Sequence, residues 1–101
     1  METNDKTTEI ELIKIKVIKK KHADQLNSVP TQGFKTEDFD LLANVSSMCW
    51  VLARQKKNGY LMKVDHAVII EWFANDQRLS YSEAGQQGRD LVRCLPQLFL
   101  D

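Results

Sequence analysis

A chain of 101 residues that is 43% hydrophobic has room for one domain whose core buries roughly two-thirds of the unfolded surface, which excludes a disordered chain. Bases and acids balance at 14 each, so no global field drives non-specific association with nucleic acid or an anionic membrane. The polar start METNDKTT lacks the apolar centre of a signal peptide, and no run approaches the roughly 18 apolar residues of a membrane span. The expectation is a cytoplasmic protein with no membrane partner, in which Cys49 and Cys94 stay reduced.

Residues 1–8 are expected to form a flexible tail, followed by a single domain over 9–101. In EIELIKIKVI the β-branched Ile13, Ile15 and Val17 alternate with Lys14 and Lys16, which predicts a strand over about 9–18 with one apolar and one charged face. Pro30 and Gly33 punctuate a loop. Thr36, followed by Glu37 and Asp38, suits a helix start, and Asn58–Gly59 suits a left-handed stop. Between them Leu41, Val45, Met48 and Leu52 form a stripe, while Phe39 and Trp50 lie nearly opposite. This predicts a helix over about 37–57, apolar almost all round and therefore central, with Phe39 and Trp50 as core residues rather than interface anchors.

Tyr60, Met62 and Val64 alternate with Leu61 and Lys63, predicting a strand over about 60–64. Asp65 precedes a helix over about 66–76 that presents Val68, Ile69, Trp72 and Phe73 to the core. Ser80 and Glu83 have capping-box spacing, which starts a helix over about 81–95 with Tyr81, Ala84, Gly88, Leu91 and Leu95 facing inward. The fold class is thus α+β, a short sheet of two or more strands packed on three helices.

The last two helices and the turn between them resemble a helix-turn-helix, with Phe73, Ala74, Leu79 and Ser82 at the positions of its apolar, small, plug and capping residues. That resemblance spans about 25 residues. It implies DNA binding, with Tyr81, Gln86, Gln87 and Arg89 as the readers of base edges. Against it, Arg78 stands where the turn favours a left-handed glycine. The segment 61–101 also carries four bases (Lys63, Arg78, Arg89, Arg93) and six acids (Asp65, Glu71, Asp76, Glu83, Asp90, Asp101), a poor balance for phosphate. The glycines have a plainer reading, a bare patch at Ala84, Gly85 and Gly88 that admits a close neighbour such as Trp72 or Trp50.

No catalytic, cofactor or metal motif is present. His22 and His66 have no Cys or His partner at metal-ligand spacing, there is no nucleophile elbow, and Gly85–Gly88 lacks the residues of a phosphate loop. The one concentration of charge is Lys14, Lys16, Lys19, Lys20 and Lys21, read either as protection of an exposed strand edge or as a docking strip for an acidic partner or phosphate. The leading expectation is a non-enzymatic regulator, adaptor or inhibitor that occupies a partner protein's surface, a type of small chain frequent among phage- and plasmid-borne accessory factors. The alternative is a helix-turn-helix regulator. The oligomeric state stays open, a homodimer included.

Overall fold

The computed structural model describes residues 17–101. The expected tail 1–8, most of the first expected strand (9–16), and with it Lys14 and Lys16, lie outside the described residues. The architecture is mixed α+β. In chain order the elements are β1 (Val17–Ile18), α1 (Lys20–Asp24), β2 (Asn27–Ser28), β3 (Phe39–Val45), β4 (Trp50–Gln55), β5 (Leu61–Asp65), α2 (His66–Asn75), α3 (Tyr81–Arg93) and β6 (Phe99–Leu100). Four strands form one sheet in the order β2-β5-β4-β3. The hairpins β3–β4 and β4–β5 are antiparallel, and β2 lies parallel to β5. A second sheet pairs β1 with β6, parallel.

The expected central helix over 37–57 is instead a β-hairpin: a 3-10 turn (Thr36–Asp38), β3, a second 3-10 turn (Ser46–Met48) and β4. Cys49 closes the second turn in the left-handed conformation at φ 59°. Asn58–Gly59 does not stop a helix either. Gly59, at φ 76°, turns β4 into β5, with Gln55 N donating to Tyr60 O at 2.8 Å and Gly59 N to Gln55 O at 2.7 Å. The all-round apolar character has a different cause from a buried helix: β4 is covered on both faces. Val51 and Ala53 join a core with Phe34, Phe39, Val64, Val68, Ile69 and Val92. Trp50 and Leu52 join another with Ile18, Ala23, Ala43, Val45 and Leu98. Phe39 and Trp50 are core residues, as expected, at 5% and 6% exposure.

Helices α2 and α3 cover the first face of the sheet. The second is covered by β1, α1 and the C-terminal residues. The chain returns along the outer edge of β3, where Asn44 N donates to Pro96 O and Leu98 N to Asn44 O, both at 2.8 Å. That path delivers β6 to β1, where Asp101 N donates to Ile18 O at 2.8 Å.

The last three expected elements sit close to their expected bounds: β5 at 61–65, α2 at 66–75 and α3 at 81–93. Ser80 and Glu83 form the reciprocal capping box, Glu83 N donating to Ser80 Oγ at 3.2 Å and Ser80 N to Glu83 Oε1 at 3.3 Å. The turn from α2 to α3 does need a left-handed residue, and Arg78 supplies it at φ 56°. Ala84, Gly85 and Gly88 are buried, but the neighbour at Gly88 is Ile70 of α2 rather than a tryptophan. Tyr81 corrects another expectation. It faces solvent, 70% exposed, because its hydroxyl donates to Glu71 Oε2 at 2.7 Å across the mouth of the turn. The Glu71 carboxylate that accepts this bond pushes the Tyr81 pKa up.

Candidate functional site

One irregularity of β3 builds the site. Phe39 and Leu41 face the helices. The register then shifts between Leu41 and Ala43, and Leu42, Ala43 and Val45 all pack on the opposite core. Such a bulge inserts a residue and re-aims those after it. Here it turns Asn44 toward α2 and α3, on the side of its register partner Val51. Without the shift Asn44 would point at α1.

Asn44 is 3% exposed. Its Oδ1 lies 2.7 Å from Nε2 of His66, the first residue of α2. An amide oxygen only accepts, so His66 Nε2 carries the hydrogen, and the neutral ring keeps a free lone pair on Nδ1. The main chain at His66 is fixed in turn, its N donating to Cys49 O at 2.9 Å. Burial pushes the His66 pKa below its ordinary value, against the opposing pull of Asp65. The imidazole is thus neutral near pH 7.

Above this pair lies a cleft of about 310 Å³, lined by Asn44, His66, Ile70, Gly88, Arg89, Val92 and Arg93. Its walls are largely aliphatic and its rim is cationic. Arg93 is partly neutralised by Asp90 at 3.2 Å. Arg89 makes no ion pair among the described residues. A neighbouring concavity of about 290 Å³, lined by Ala67, Ile70, Glu71 and Tyr81, adjoins the cleft at Ile70.

The four DNA-reading candidates are all exposed residues of α3. Tyr81 is tied to Glu71, Gln86 donates to Asp90 Oδ1 at 2.9 Å, and Arg89 lines the cleft. Gln87 is exposed. Glu71, Glu83 and Asp90 stand among them.

Of the lysine strip, Lys19, Lys20 and Lys21 are described and all three are exposed. They are not on a strand edge. Lys19 is the N-cap of the five-residue α1, Lys20 opens it with no acidic residue in the first turn, and Lys21 falls in its last turn. Lys20 reaches Asp24 at 3.5 Å. Beside them Val17 and Phe99 are register partners across β1 and β6 and are 39% and 56% exposed, while Ile18 and Leu100 turn inward.

Cys49 and Cys94 are free and exposed, although the sequence places both in apolar stretches. Among the described residues no group of three or more His, Cys, Asp or Glu could hold a metal ion, and no helix is long and apolar enough to cross a membrane. Asn44 is not among the candidates the sequence offers, and His66 reads there as a helix-start residue. The available signal was a lone amide inside the apolar run LLANV.

A pH dependence follows from His66. Its pKa is lower in the folded protein than in the unfolded chain, so the unfolded chain binds the proton first as pH falls. The His66 contribution is complete above the unfolded value of 6.5 and is lost as pH drops from there through the folded value. Denaturant midpoints of wild type and His66→Gln, compared between about pH 5 and 7.5, should converge toward acid. A difference constant across that window would contradict the assignment.

No protein-family model matches the chain, and no curated protein or solved structure shows significant similarity to it.

Proposed function

We propose that the protein is a non-enzymatic interaction protein that docks on an acidic patch of a partner protein through Val17, Phe99 and the lysines Lys19, Lys20 and Lys21. The observation that carries this reading is the run of three consecutive exposed lysines, Lys19, Lys20 and Lys21, at α1, close in the chain to the exposed register partners Val17 and Phe99. Strand-edge protection gives no reason for lysines on a helix. A partner surface does, because apolar centres with charged rims supply affinity, and complementary charge speeds encounter.

The test is kinetic. A partner captured from the native host is purified, and its association is followed across a salt series. Lys19→Glu with Lys21→Glu leaves the Lys20–Asp24 pair intact, and exposed changes of this kind alter stability by under about 0.5 kcal/mol each. The double variant is expected to associate at least about ten-fold more slowly at low salt and to lose most of the salt dependence of the on-rate. An unchanged rate and slope, with the fold verified by circular dichroism, would refute the docking role.

DNA binding through α2 and α3 remains the second reading, favoured by the left-handed turn at Arg78 and the capped start of α3. The acids Glu71, Glu83 and Asp90 on the would-be reading face weigh against it, since groove binding requires phosphate neutralisation. Nanomolar binding to one duplex at physiological salt, lost on Arg89→Ala with Gln86→Ala, would promote it.

A further inference from the structure

The cleft between β3, α2 and α3 lies apart from the basic surface on α1, and its chemistry is of another kind. Its volume of about 310 Å³ falls at the lower end of the roughly 300–1,000 Å³ typical of small-molecule sites, which combine apolar walls with a few converging polar groups. Ile70 and Val92 supply the walls. Gly88 contributes backbone to the lining and lets Ile70 pack close, since a Cβ there would meet Ile70 Cγ1 at 2.8 Å.

The polar groups are fixed in direction. Asn44 Oδ1 is engaged by His66 Nε2, which orients the amide. Its Nδ2 has no hydrogen-bond partner among the described residues, although the residue is 3% exposed. Nδ2 is not fully buried, since Trp72 Nε1 alone among the described side-chain atoms is both buried and unpaired, so this donor is open to an acceptor that enters the cleft. The Arg89 guanidinium at the rim adds positive charge that no acid among the described residues pairs.

We propose that this cleft binds a small carboxylate with an apolar body, the carboxylate accepting from Arg89 and Asn44 Nδ2 and the hydrocarbon lying against Ile70, Val92 and Gly88. A single unpaired arginine with one amide matches the charge and fork geometry of a carboxylate. Phosphate carries more charge, and Arg93, the other cation of the lining, is already paired with Asp90.

The experiment is an amide NMR titration of the full chain with hexanoate, 1-hexanol and inorganic phosphate as separate probes. Hexanoate is expected to shift the amides of Ile70, Gly88, Arg89 and Val92 with a saturating Kd at or below about 1 mM. Hexanol should bind at least about ten-fold more weakly, which is about 1.4 kcal/mol. Arg89→Gln, an exposed change, should weaken hexanoate by a similar factor while leaving the free spectrum folded. Shifts that never saturate, equal binding of hexanol, or an unaffected Arg89→Gln variant would each overturn the proposal. Phosphate binding at the same amides as tightly as hexanoate would overturn the carboxylate assignment.

Discussion

Replacing Leu52 with alanine is expected to destabilise the protein by about 2–5 kcal/mol, the range for truncating a fully buried leucine. Leu52 has no exposed surface and sits on the face of β4 that holds Ile18, Ala23, Val45, Trp50 and Leu98. That layer is assembled from distant pieces of chain, the β1–α1 segment and the C-terminal return, each anchored by few backbone bonds. The cavity should therefore loosen the layer as a unit. The amides of Leu98 and Asp101, which donate to Asn44 O and Ile18 O, should exchange faster than those of α3. At about 4–8 °C per kcal/mol for a domain of this size, Tm should fall by at least about 8 °C. A loss under about 1 kcal/mol would mean that the face is not packed as described.

The second large effect is expected at Gly88. A Cβ at this position would stand 2.8 Å from Ile70 Cγ1 and 3.7 Å from Ile70 Cα, so even one carbon must displace the Ile70 side chain. Gly88→Leu inserts a whole side chain there. Overpacking costs about 1–3 kcal/mol, and leucine recovers up to about 1 kcal/mol of helix propensity. A clash this close puts the cost at the upper end, and the expected net loss is about 2 kcal/mol. Gly85→Ala is the internal control. Its Cβ would meet only the Arg89 guanidinium, at 3.3 Å, which can move aside. That variant is expected to gain up to about 1 kcal/mol. Denaturant melts of the three proteins give the two signs. A stabilised Gly88→Leu would contradict the close helix approach.

The contrast between these two regions explains what could be read from the sequence. Helix α3 was legible because its signals are local: Ser80 and Glu83 cap it, and small residues mark its contact face. β5 and α2 followed from alternation and then a change of period. The hairpin β3–β4 was not legible, for three physical reasons. A strand buried on both faces reads as a continuous apolar run, which periodicity alone cannot tell from a buried helix. The bulge at Leu41–Ala43 breaks what alternation remained. Its turn is built on Ser46, Ser47, Met48 and Cys49, with none of the glycine, proline or asparagine that usually marks one. Asn58–Gly59 then misled, since a left-handed glycine closes a hairpin as readily as a helix.

The same bulge hid the cleft. Asn44 and His66 are 22 residues apart, and only the shifted register turns the amide toward the ring. The lysines were visible in the sequence as a charge cluster. Their placement on a helix start rather than a strand edge was not, because Ile18 ends β1 and Lys19 opens α1 with no capping signal.

Hydrogen exchange on the complex tests the docking surface most directly. With the captured partner bound, the account predicts added protection at β1, α1 and β6, over residues 17–24 and 99–101, and little change on the outer face of α3. Protection confined to α3, with β1, α1 and β6 unchanged, would contradict it.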